Sequence, residues 1–200
     1  MNALVILGHP RPGSFNHAIA ATVVETLHAN GYDVVFHDLC AEGFEPLLPS
    51  GELPEDGAVD PVVRQQCAEL VAADVFVVVH PNWWGQPPAI VKGWIDRVIR
   101  PGVAYRFLEG DSGGGVPEGL LHTEIALVFN TSNTAREREL HVFGDPLERL
   151  WRDCILEFCG VKRVHRRMFE TIVTSTPAQR RGWLDEVRDT LNRFCPKNLL

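Results

Sequence analysis

The sequence predicts an α/β protein, a doubly wound sandwich with helices on both faces of a parallel sheet. Three observations lead there. Short apolar runs rich in β-branched residues alternate five times with segments of helical period, which is the pattern of βαβ units. Glycine, proline and capping residues mark the helix ends. The 200 residues, 45% hydrophobic and 22% charged, suit one compact domain over residues 1–200.

The five runs are Ala3 to Leu7, Val34 to Phe36, Val75 to Val79, Ile125 to Phe129 and Val161 to Ile172. After the first, Ile19, Val23 and Leu27 form one helical face, with Glu25 and His28 opposite, and Gly31 supplies a left-handed stop. Cys40 to Pro61, rich in Pro, Gly and acidic residues, reads as an exposed excursion before the second helix. The third helix carries a stripe of Ile90, Trp94 and Val98 and ends at Arg100-Pro101-Gly102. A fourth opens with Asp145 as cap and Pro146 in its first turn, and its predicted buried face is Leu147, Leu150, Trp151, Cys154, Ile155 and Phe158. The last starts at Thr176-Pro177 and buries Trp183, Leu184, Val187, Leu191 and Phe194.

Charge and cysteine usage narrow the function. A net charge of −7 gives no footprint for nucleic acid or an anionic membrane, so the expected partner is a small molecule. Five cysteines, odd in number and without C-x-x-C spacing, read as mostly buried reduced thiols, neither disulfides nor zinc ligands, and point to the cytosol. Met1 runs directly into a strand and no window reaches the ~18 apolar residues of a membrane span, so neither export nor membrane insertion is expected.

In an open α/β sheet, ligands bind beyond the carboxyl ends of the strands. Three of the loops there are unusual. The first, "GHPRPGSFNHA", has the G-x-x-x-x-G-[ST] spacing of Gly8, Gly13 and Ser14 without the lysine of a nucleotide-triphosphate loop. Ser14, Asn16 and the free amides of the next helix suit either a monophosphate or diphosphate cradle or an ordinary helix cap. The third-strand loop, "HPNWWGQPPAIVKGWID", puts Trp83 and Trp84 among prolines. They either wall a slot for a flat heterocycle, or one packs over the sheet end while the other meets a subunit partner. The fourth strand ends in the polar Asn130-Thr131-Ser132-Asn133-Thr134, which in the strand order 2-1-3-4-5 faces the aromatic loop across one cleft.

Taken together, "HPRPGSFNHA", the "FEP" of Phe44 to Pro46, "HPNWWGQPPAIVKGWIDRV" followed by Ala104-Tyr105, and the "FCG" of Phe158 to Gly160 resemble the flavodoxin-like NAD(P)H:quinone reductases and their relatives, among them potassium-efflux ancillary proteins. The resemblance implies a flavin whose phosphate end is held by His9, Ser14, Phe15 and Asn16. It places Pro81, Asn82, Trp83, Trp84 and Gly85 along the isoalloxazine, with Asn130, Thr131, Ser132 and Asn133 on its polar edge. NAD(P)H would then reduce the flavin at N5 and leave before a quinone-like acceptor enters, a ping-pong cycle in which the ring carries the electrons. FMN is expected over FAD, since little chain follows the last helix, and a homodimer is implied, with Trp94 or Trp151 either at its interface or internal. The alternative function is a flavin- and nucleotide-sensing regulatory subunit of a membrane transporter.

One departure concerns catalysis. Quinone reductases of this family carry a Gly-Gly pair, a tyrosine and a histidine near the flavin O2 edge, whereas this chain reads "NTSNTARERELHVFGD". His141 is the candidate catalytic group there, its alternative being a place on a solvated helix. The basic run Lys162 to Arg167 reads as a solvated face or dimer contact, with the phosphate of NADPH as the competing partner.

Overall fold

The computed structural model describes residues 1–53, 57–108, 115 and 117–197. Residues 54–56 of the predicted excursion, and the chain end at Leu200, lie outside the described residues. In chain order the elements are β1 (Asn2–Leu7), α1 (Phe15–Ala29), β2 (Asp33–Asp38), α2 (Pro61–Ala72), β3 (Val75–Pro81), α3 (Ala89–Val98), the antiparallel pair β4 (Tyr105–Arg106) and β5 (Glu118–Gly119), β6 (Ile125–Ser132), α4 (Arg136–His141), α5 (Pro146–Arg149), β7 (Val164–Glu170) and α6 (Pro177–Phe194). The five long strands form one parallel sheet in the order β2-β1-β3-β6-β7, which is 2-1-3-4-5 counted along these strands.

Strand alternation divides the core into two layers. Leu4, Ile6, Phe76, Val78, Ala126 and Val128 face α2, α3 and Trp151, while Val5, Leu7, Val77, Val79, Leu127 and Phe129 face α1 and α6. Both faces of β3 and β6 are covered, and every residue of each is buried. The register sets His80 beside Asn130 and Pro81 beside Thr131, so both strands deliver their polar ends to the same edge. α1 ends as the sequence predicts, with Gly31 at φ 85. α6 opens with a reciprocal capping box between Thr176 and Gln179.

Several expectations need correction. The fourth helix is only four residues long before it widens into a π-helical turn over Leu150–Leu156. The wider turn slips the phase, so Trp151, Ile155 and Leu156 are buried whereas Cys154 and Phe158 are exposed. Asp145 stands at φ 46 and caps nothing; its carboxylate pairs with Arg166 instead. The third helix buries Val91 and Ile95 alongside Trp94 and Val98, leaving Ile90 half-buried. Trp94 and Trp151 are both wholly internal.

The described residues of the excursion are mostly exposed, as the sequence predicts, and Phe44 and Glu52 anchor it. Arg97 makes a two-pronged bond to the Glu52 carboxylate (3.1 and 2.6 Å) and donates to the Glu45 carbonyl at 2.6 Å, with Phe44 beneath its guanidinium. A Cβ at Gly93 would collide with the Pro46 backbone, so this glycine is what lets the excursion lie on α3. The basic run likewise turns partly inward: Arg166 is almost fully buried, bonded to Asn130, Asp145 and Glu148, and Arg167 pairs with Glu186.

Candidate functional site

A cavity of about 970 Å³ opens at the carboxyl edge of the sheet, lined by the loops after β1, β3, β6 and β7 and by Arg180 of α6. The β1 loop enters through Gly13, whose φ of 70 and empty surroundings leave the backbone open to the cavity. Ser14 precedes α1 but makes no side-chain cap; its Oγ lies 2.8 Å from His17 Nδ1. The capping alternative for Ser14 is therefore not what its hydroxyl does. Asn16 donates to Thr131 Oγ1 at 3.0 Å and so ties this loop to β6. Phe15 packs on Phe169 and Trp183, with the Arg180 guanidinium over its ring. His9 accepts the Arg11 amide at Nδ1 (3.1 Å), and burial pushes its imidazole below the ordinary histidine value.

The tryptophan loop is a two-residue hairpin. Trp83 and Gln86 exchange backbone hydrogen bonds of 3.0 and 3.0 Å, and the residues between them, Trp84 and Gly85, have φ of 58 and 73. Positive φ at both positions is the type I′ turn, which favours Asn-Gly and strains a bulky side chain at its first position. Asn82 fixes the turn from behind: its amide donates to the Thr131 carbonyl at 2.6 Å, its Oδ1 accepts from Gly85, and its Nδ2 donates to Glu139 at 2.9 Å. A Cβ on Gly85 would lie 2.7 Å from Pro146. Trp83 is 44% exposed and Trp84 101% exposed, and both line the cavity. The Trp83 ring lies 6.2 Å from the His9 ring.

On the far side Thr131 and Ser132 line the cavity from inside β6, not from a loop as the sequence suggested, and Asn133 accepts the Val173 amide at 3.0 Å. Of the thirteen residues expected to hold the flavin, twelve line this cavity: His9, Ser14, Phe15, Asn16, Pro81, Asn82, Trp83, Trp84, Gly85, Thr131, Ser132 and Asn133. Asn130 does not; it is wholly buried and its Oδ1 accepts from Arg166 at 2.8 Å. His141 does not either. Its ring is 74% exposed and lies 3.2 Å from Glu137, one turn back on α4. Sequence reasoning missed Glu139, Phe143, Pro146, Ile172, Val173 and Arg180, all of which line the cavity. Glu139 is only 2% exposed, and no local pattern in "RERELH" marks it off from its exposed neighbours.

Beneath the site His80 is fully buried; its Nε2 accepts the Trp151 indole N–H (2.9 Å), which leaves the proton on Nδ1 to be donated to the Pro81 carbonyl. Burial pushes its pKa down to about 4, so the ring is a neutral post under the aromatic loop.

Residues 1–191 match the family described as having the flavodoxin-like fold. The chain belongs to that family. An uncharacterized NAD(P)H oxidoreductase of Haemophilus influenzae is 33% identical over 177 residues, covering 86% of this flavodoxin-like chain and 85% of the relative. NAD(P)H dehydrogenase (quinone) 1 of Rattus norvegicus is 29% identical over 207 residues, covering 90% of this chain and 74% of the relative. In fold the chain is similar to the NAD(P)H:quinone oxidoreductase of Methanothermobacter marburgensis, with a TM-score of 0.80 at 23% identity over 95% of this chain and 94% of that one. The sequence resemblance and the strand order predicted from it both hold.

Proposed function

We propose that this flavodoxin-like chain is a flavin-dependent NAD(P)H oxidoreductase that passes two electrons to a quinone-like acceptor by a ping-pong cycle. The observation that carries the reading is the convergence, on one cavity, of the amino end of α1, an aromatic hairpin and the polar end of β6. The names of the curated relatives, NAD(P)H oxidoreductase and NAD(P)H dehydrogenase (quinone), point the same way.

The donor set suits a flavin. The amides that open α1, with Ser14 and the open backbone of Gly13, offer an anion cradle at one end of the cavity. That arrangement suits a cofactor ending in a monophosphate, and FMN is the flavin proposed. Trp83 and Trp84 offer aromatic walls, and Thr131, Ser132 and Asn133 offer hydrogen bonds along the opposite edge. A volume of about 970 Å³ is near the top of the small-ligand range, leaving room for a second flat molecule beside the ring. When bound, the flavin supplies the electron relay between nicotinamide and acceptor. The chain's own part is to anchor the phosphate, hold the ring's edge and keep the tryptophan turn rigid through Asn82 and Glu139. With His141 turned to solvent, no side-chain acid is assigned.

We also propose a homodimer. The exposed apolar side chains of Trp84, Phe143 and Val173 gather at the cavity mouth, an arrangement typical of a surface that meets a partner. Steady-state oxidation of NADH and NADPH with a soluble quinone tests the enzyme. Rapid turnover with parallel double-reciprocal plots is expected. A flavin-loaded protein that oxidises neither nucleotide, with quinone or without, contradicts it.

A further inference from the structure

Ser14, His17 and Asp38 are joined in one chain of contacts at the edge of the cavity. Ser14 Oγ lies 2.8 Å from His17 Nδ1, and His17 Nε2 lies 3.1 Å from Asp38 Oδ2. The other Asp38 oxygen, Oδ1, already accepts the Cys40 and Ala41 amides, at 3.2 and 3.1 Å. A carboxylate only accepts, so the Nε2 proton belongs between His17 and Asp38. Nδ1 of the neutral ring is then a bare acceptor, and the Ser14 hydroxyl must donate to it. In that state Ser14 turns lone pairs toward the cavity it lines, and an anion arriving there meets an acceptor. A proton on Nδ1 reverses the polarity: Nδ1–H donates to Oγ, and the hydroxyl hydrogen is released toward the cavity.

We propose that His17 is a proton-linked positioning residue, so that a phosphate monoester binding beside Ser14 draws one proton from solvent onto His17 Nδ1 and converts the Ser14 hydroxyl into a donor. The proposal rests on the flavin-phosphate reading of this cavity. His17 itself does not line the cavity, so it acts through Ser14. The charged and titratable groups around it are Asp38 at the end of β2, His9 with its ring 6.2 Å away, Arg11 on the β1 loop, and Cys40 beside Asp38. His9 accepts the Arg11 amide at Nδ1, and burial disfavours its charged form. Burial and Asp38 push the Cys40 thiol up, which keeps it neutral. The proton is assigned to His17 on geometry: its Nδ1 faces the Ser14 hydroxyl while its Nε2 faces Asp38.

The coupling is reciprocal: if phosphate raises the proton affinity of the ring, protonation raises the affinity for phosphate by the same factor. Calorimetric titration of flavin-free protein with FMN, in two buffers of different ionisation enthalpy at about pH 7, counts the protons taken up. Wild type is expected to take up as much as about one proton per FMN, and none with riboflavin, which lacks the phosphate. His17→Gln places an amide donor against Ser14 at every pH, so FMN should still bind without that uptake. Ser14→Ala, which leaves the ring and Asp38 in place, should reduce the uptake as well. The FMN-to-riboflavin affinity ratio of wild type, relative to that of His17→Gln, should fall as the pH is raised, by up to about tenfold per pH unit. That comparison cancels the ionisation of the FMN phosphate itself. Equal proton uptake in wild type and His17→Gln overturns the proposal while leaving the flavin reading intact. Failure of wild type to bind FMN at all overturns the flavin reading, and the proposal with it.

Discussion

Replacing Trp84 by asparagine should move stability and cofactor affinity in opposite directions. Trp84 occupies the first central position of a type I′ turn at φ 58, and its side chain is fully solvent-exposed. The left-handed conformation costs an ordinary L-residue roughly 1–2 kcal/mol, and asparagine tolerates it because its short side chain bonds locally. No packing is lost when the ring goes, so Trp84→Asn, which leaves the favoured Asn-Gly pair in the turn, should stabilise the flavin-free protein by about 1 kcal/mol. For a chain of this size that raises the melting temperature by about 2–4 °C. The same change removes an aromatic wall worth roughly 0.5–1.5 kcal/mol beyond its area burial, and with the area included FMN affinity should fall about tenfold. Melting curves without flavin and fluorescence titrations with FMN give the two readouts. A variant that melts lower than wild type while binding FMN equally well would refute both the strain and the wall.

Other expectations concern the supports of the site. Glu139→Ala removes the partner of the Asn82 side-chain amide and frees the part-buried side chain that braces the tryptophan turn, so FMN titration should show weakened affinity, with Glu139→Gln retaining more of it. Gly93→Ala drives a methyl group into the Pro46 backbone and should cost about 1–3 kcal/mol in denaturant unfolding. His80 has its folded pKa depressed from 6.5 to about 4, so the unfolded chain takes up the proton first, and stability falls as pH drops through that interval. The loss approaches about 3 kcal/mol by pH 4, and pH-dependent melting of His80→Gln should lack this part of the slope. The Arg97 guanidinium holds the Glu52 carboxyl below its ordinary value of 4.5. Its contribution is present above that pH and lost on further acidification, a loss that Glu52→Gln should abolish in acid unfolding curves.

Much of this architecture is legible in the sequence because the signals are local. β-branched runs, Gly31 and the Thr176-Pro177 helix start each act within a few residues, and the motifs at Ser14 and Trp84 lie in the loops that the sheet rule selects. What escaped depends on distant partners or on a change of helical pitch. Cys154 and Phe158 look buried at a period of 3.6 residues, and the π turn sets them outside. Arg166 reads as one charge in a solvated run until Asp145 and Glu148 close around it. The excursion is exposed as its composition suggests, but nothing local shows that Arg97, far along the chain, grips Glu52. Glu139 lies on a six-residue helix with no apolar stripe to orient it. Asn130 lies two residues short of the end of β6 on the same face as Ser132, and Arg166, which no local pattern pairs with it, holds its side chain wholly buried below the cavity.

FMN is the proposed occupant of the cavity beyond β1, β3 and β6. Visible absorption of the purified protein, followed by titration of the flavin-free form with FMN, tests it most directly. The expected result is a yellow protein whose flavin bands saturate at one FMN per chain, with Trp83 and Trp84 fluorescence quenched on binding. A colourless protein that leaves added FMN free in solution, with its tryptophan fluorescence unchanged, would contradict it.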